Sequence, residues 1–119
     1  MNEEYFKAEK VIEGYAYPSS YVDFVNNADH KVIDPWWLIG SSKGLFDITY
    51  RLLNINLASS ITIIPFAKDQ ETNALAFFDR TGNVYCYCGE NTLENIDWEK
   101  RFHFTSFNDW LKRVKSGDF

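Results

Sequence analysis

Cys86, Cys88 and His103 are the side chains best placed by type and spacing to do chemistry in this 119-residue chain. In a strand, residues two apart point to one face, so both thiols would lie together. With His103 they could form a metal or redox pair. Structural zinc takes four ligands, however, and His30 and His103 are the only two histidines. The plainer reading is two small apolar residues packed inside a sheet, a common fate of cysteine. A Cys–His nucleophile would need a base oriented by a third group, and no spacing here supplies one. His103 falls on the polar side of an alternating segment, where a solvated histidine is the default. No Gly-rich phosphate loop, G-x-S-x-G, H-E-x-x-H, paired C-x-x-C or calcium-binding D-x-D-x-D-G loop occurs. No cofactor and no catalysis are expected.

A second cluster is acidic. Asp69, Glu71, Asp79, Glu90, Glu94, Asp97 and Glu99 gather in the loops and element ends of the second half. They read as a metal or active site, as a patch for a basic partner, or as ordinary solvated surface. The chain has 17 acidic and 12 basic residues, a net charge of -5. That balance argues against nucleic-acid binding, where a basic face supplies most of the affinity. It suits a basic protein partner, because complementary fields speed encounter.

The aromatics carry the remaining signal: 4 Trp, 7 Tyr and 10 Phe. Most must be core. Trp36 and Trp37 cannot both face inward in a strand, so one should be partly exposed or covered by another element. An exposed Trp or Tyr is a typical interface anchor. Tyr85 and Tyr87 face opposite to Cys86 and Cys88. If helices cover the cysteine face, these tyrosines mark an open sheet surface. Aromatics on an open sheet also stack bases, but the acidic charge and the lack of a basic-aromatic motif count against RNA. The candidate partner-binding residues are Trp36, Trp37, Asp69, Glu71, Tyr85, Tyr87 and Glu90.

Periodicity gives the elements that must position these residues. Tyr5, Ala8, Val11 and Ile12 make a first helix over residues 3–13, stopped by Gly14. Pro18 suits the first turn of a second helix, whose apolar face is Tyr21, Phe24 and Val25. Asn26-Asn27 ends it. Residues 30–35 are polar and broken by Pro35. Trp36 to Ile39 reads as a strand closed by Gly40. Ser41 or Ser42 can cap a helix over about 44–54, with Leu45, Ile48 and Leu52 inward. Strands come next at 61–67, 73–78 and 84–88. Asp79-Arg80-Thr81-Gly82 makes a hairpin turn, with Asp79 bonding the backbone ahead and Gly82 at positive φ. Trp98 to Phe104 alternates as another strand. Ser106-Phe107-Asn108-Asp109 is a capping-box-like start to a last helix, with Phe107, Trp110, Leu111 and Val114 inward. Lys112, Arg113 and Lys115 complement its dipole, and Gly117 stops it.

This order predicts one α+β domain over residues 1–119, an antiparallel sheet of about 4–6 strands with helices on one face. No basic-then-apolar leader and no membrane-length apolar run appear. With two cysteines only, a reducing cytoplasm is the simplest compartment. A monomer or weak dimer that avoids membranes is expected.

The succession of motifs resembles the SMI1/KNR4 domain of the SUKH superfamily. Its first motif is matched by Tyr17-Pro18-Ser19-Ser20-Tyr21-x-x-Phe24, and its Trp-bearing strand by Trp36 to Ile39. The middle is matched by Ile64-x-Phe66-Ala67-x-Asp69, Phe77-Phe78-Asp79 and Gly82-x-Val84-Tyr85, and the closing helix by Ser106-Phe107-x-x-Trp110-Leu111. The likeness spans about residues 5–115. The chain departs from it at Asn26-Asn27-Ala28, where the family commonly has a glycine pair, and at Thr72-Asn73, where it has Gly-Asp. The resemblance implies a non-catalytic protein-binding module. Many bacterial members are immunity proteins that block a cognate toxin, often a nuclease. Eukaryotic members are regulatory interaction proteins, and a regulatory or scaffold domain without a toxin is the alternative.

Overall fold

A run of β-branched and aromatic residues in the middle of the chain builds an antiparallel sheet, and the flanking amphipathic segments pack on it as helices. The computed structural model describes residues 3–41, 44–56, 63–87 and 103–116. The helices are α1 (Ala8–Val11), α2 (Ser19–Asn27), α3 (Leu45–Asn56) and α4 (Phe107–Ser116). The strands are β1 (Trp36–Leu38), β2 (Ile64–Asp69), β3 (Leu75–Phe78) and β4 (Val84–Tyr87), in the spatial order β1-β2-β3-β4, every pair antiparallel. This is the expected α+β architecture, at the low end of the expected strand count.

α2 and α4 cover one face of the sheet. Their inward residues are those of the helical pattern: Tyr21, Phe24 and Val25 from α2, and Phe107, Trp110 and Val114 from α4. Tyr21 lies 5.6 Å from Phe66, 5.3 Å from Phe78 and 5.4 Å from Phe107, centroid to centroid, in edge-to-face contacts. Trp110 meets Phe66 at 5.0 Å and Trp36 at 5.5 Å, again edge-on. Burying each such ring contributes about 1.5–3 kcal/mol, and the edge-to-face geometry adds to it.

Several local expectations shift. The first helix is a 3-10 turn over Glu3–Phe6 followed by α1, and Phe6, outside the predicted stripe, joins Ala8 and Ile12 in the core. Residues His30–Ile33 form a 3-10 turn that buries Ile33. Ile48 is 59% exposed and does not face inward; Phe46 takes the buried place in α3. The Val11 and Leu52 side chains lie outside the described residues. So do Ile61, Thr62, Cys88, Glu90, Glu94, Asp97, Glu99, Trp98 to Phe102, and Gly117. The strand predicted to end at Phe104 is seen only there, where Phe104 and Val84 exchange two backbone hydrogen bonds of 2.8 Å at the outer side of β4.

β2 begins and ends later than the pattern suggests, and Pro65 explains its irregularity. Proline cannot donate to a ladder, so within a central strand it belongs at a bulge. The β2–β3 register slips between Pro65 and Ala67. Phe66 and Ala67 therefore both lie in the core on the helix side. The extra residue reverses the parity of the rest of the strand, and Lys68 is turned to the other face.

Candidate functional site

The second face of the sheet carries the candidate site. Strand alternation places Trp37, Lys68, Leu75 and Tyr87 there, since their neighbours Trp36, Leu38, Ala67, Ala76 and Cys86 pack on the helix side, although the Leu75 side chain also reaches the core cluster. Pairing then aligns them. Trp37 stands opposite Lys68, Lys68 opposite Leu75, and Leu75 opposite Tyr87. One row thus crosses all four strands, about 14 Å from end to end at the usual strand spacing. All four side chains are half-buried.

Beside this row the same face has a packed layer. Phe77 and Tyr85 stack at 5.7 Å with 13° between their planes, and His103 lies 4.9 Å from the Tyr85 ring. Both Phe77 and Tyr85 are buried, the latter 4% exposed. Burial raises the Tyr85 phenol above its ordinary pKa, and the charge of Asp79 adds to the shift.

The predicted partner-binding residues therefore divide. Trp37 and Tyr87 share the row. Trp36 is 5% exposed and packs edge-on against Trp110, so it is framework. Tyr85 is framework too. Asp69 is 8% exposed, and its carboxylate accepts the Glu71 N–H at 2.8 Å, closing the β2–β3 turn. Glu71 is exposed on that turn. Asn73, two residues on, holds a positive φ of 61°, the conformation that glycine or asparagine tolerates best. Glu90 lies outside the described residues. Lys68 and Leu75 join the row without having been expected there. Leu75 was legible from the hairpin, because counting back from Asp79 sets it opposite Tyr87. Lys68 was hidden by the bulge.

Of the predicted cysteine–histidine group, Cys86 and His103 lie among the described residues and Cys88 does not. Cys86 shares the helix side of β4 with Val84 and packs on the core. His103 contacts Tyr85, whose side chain belongs to the other face. A sheet thus separates the thiol from the imidazole. Among the described residues no group of three or more His, Cys, Asp or Glu could hold a metal ion. Asp79, an acidic candidate, serves the hairpin. Its Oδ1 accepts the Thr81 N–H (2.9 Å), the Thr81 hydroxyl (2.8 Å) and the Asn83 N–H (3.0 Å), and its Oδ2 accepts the Asn83 amide (3.0 Å). Gly82 takes φ 91°, as the turn reading requires.

Fold and site together define an α+β domain with one helix-covered sheet face and an aromatic-aliphatic-cationic row on the other. Comparison with family models, with curated proteins and with solved structures finds no match in any of the three. Among the described residues no helix is long and apolar enough to cross a membrane.

Proposed function

We propose that this chain is a non-catalytic protein-binding domain of the immunity type, acting in the cytoplasm, which holds a cognate toxin against the second face of its sheet. The row Trp37, Lys68, Leu75 and Tyr87 carries the reading. Trp37 and Tyr87 are of the residue types enriched at interface cores, where Trp and Tyr supply large contact area at low entropic cost. The order of motifs resembling SMI1/KNR4 domains supports the toxin as partner. The net charge of -5 suits a basic toxin domain such as a nuclease.

The test is capture at low salt of the toxin domain encoded beside this gene, together with protection of cells that express it. Capture and protection are expected, and both should weaken in Trp37→Ala and Tyr87→Ala. A chain that captures no such domain and protects no cells would refute the reading.

A further inference from the structure

Lys68 stands inside the row on the second face. Pairing sets it directly opposite Trp37 on one side and Leu75 on the other, with Tyr87 one strand further. At the usual strand spacing the two neighbours are about 4.8 Å away and Tyr87 about 10 Å. A partner that covers both Trp37 and Tyr87 therefore covers Lys68 as well.

The charge of Lys68 is uncompensated. Among the described residues its side chain has no hydrogen-bond or ion-pair partner, and the one ion pair there joins Lys7 to Asp47 at 2.9 Å. The acids nearest in sequence do not serve it. The Asp69 carboxylate is buried and accepts the Glu71 N–H at 2.8 Å, and Glu71 is exposed on the turn.

Lysine is depleted at the cores of protein interfaces, because its compact ammonium is strongly hydrated and loses that water there. An ammonium buried without a counter-charge is strongly unfavourable, and pairing with a carboxylate recovers much of the cost. The side chain is half-buried, so its stem lies along the sheet. That stem could also carry the charge out towards the exposed residues 70–73 of the turn. Binding would then be indifferent to Lys68, which separates the two arrangements by experiment.

A second copy of this chain is a poor occupant of the face. A two-fold contact presents the same patch on both subunits. Lys68 would meet a row of Trp, Lys, Leu and Tyr that offers no acid, and two chains of net charge -5 would be brought together.

We infer that the partner held on this face presents a carboxylate, from an Asp or Glu side chain, to Lys68, set between apolar contacts to Trp37 on one side and to Leu75 and Tyr87 on the other. The inference rests on the reading of this face as the toxin-binding surface and adds the chemistry at its centre. A toxin domain that is basic overall is steered to this acidic chain at long range, and the carboxylate fixes its register at short range. Lys68 in turn rejects a basic surface that lacks such an acid.

Calorimetric titration of the full chain with the toxin domain encoded beside this gene tests it, with Lys68→Met, Lys68→Arg and Lys68→Glu alongside the parent. Lys68→Met should weaken binding about thirtyfold or more and Lys68→Glu should abolish it. Lys68→Arg keeps the charge and should stay within about tenfold of the parent. Urea midpoints of all three should stay close to the parent's, because the Lys68 side chain holds no partner in the fold. Changing each Asp and Glu of the toxin domain in turn to Asn or Gln should find one variant that binds the parent weakly but binds Lys68→Met no worse than the unchanged toxin does, the coupling that marks a direct pair. Lys68→Met binding as tightly as the parent would overturn the inference and leave the toxin reading intact. So would a scan in which no acid couples to Lys68. A parent chain that does not bind the domain overturns both. A parent that self-associates, with the association lost in Trp37→Ala, assigns the face to a second copy and overturns the inference too.

Discussion

Trp36 and Trp37 are adjacent in sequence and face opposite sides of the sheet. Trp36 is enclosed by Trp110 and the core, so Trp36→Ala leaves a cavity and should cost about 3–5 kcal/mol in urea unfolding. Trp37 is half-buried on the second face, and Trp37→Ala should cost about 1 kcal/mol in the same measurement. Binding should show the reverse emphasis. If Trp37 anchors the partner as a hot spot of about 2 kcal/mol, its loss weakens toxin binding roughly thirtyfold in calorimetry. Asp79 belongs to stability as well. Asp79→Ala removes the acceptor for four donors in the hairpin turn, and a loss of about 1–3 kcal/mol is expected. Among the described acidic candidates, Asp69 and Asp79 are spent on turns, and Glu71 is exposed.

At the level of elements, capping decides where α4 starts. Ser106 accepts the Asp109 N–H, as the capping-box reading anticipates, but Asp109 accepts the Thr105 hydroxyl, one residue before the cap. Ser106→Ala should lower stability by about 1 kcal/mol, the usual worth of an N-cap, measured as a shift in urea midpoint. The β3–β4 hairpin depends equally on Gly82. A Cβ there would meet Pro18 only at ordinary contact distance, so the penalty for Gly82→Ala comes from its φ of 91° and should be about 1–2 kcal/mol. The two elements with the clearest local signals, this hairpin and α4, are also those whose residues fell where periodicity put them. In α3, Leu45 packs on the core as expected but Ile48 does not, because an amphipathic stripe names a face only when something packs on it. Ile48 fits the stripe and still points to solvent.

Across the whole molecule, Tyr15, Tyr17 and Tyr21 form a connected layer, with ring centroids 5.3 Å and 4.9 Å apart. Burial is the largest cause raising all three phenols well above the ordinary value of 10.0. The unfolded chain releases these protons near that value, while the folded chain keeps them. Their contribution is therefore whole below pH 10 and is lost as pH rises above it. Urea midpoints should be level up to about pH 9 and fall steeply by about pH 11, with the 295 nm absorbance of these tyrosines appearing only on unfolding. The class of fold, the hairpin, and the inward faces of α2 and α4 were legible in the residues alone, because they rest on short-range periodicity and turn chemistry. That one of the two tryptophans must leave the core was legible for the same reason. Which one leaves depends on the register of β1 against β2. Lys68 enters the row only because the bulge beside Pro65 reverses strand parity. A cleft lined by Tyr15, Arg80 and Phe107 joins residues about ninety positions apart. Such long-range placements depend on how the sheet pairs and how helices pack on it, which only the tertiary structure decides.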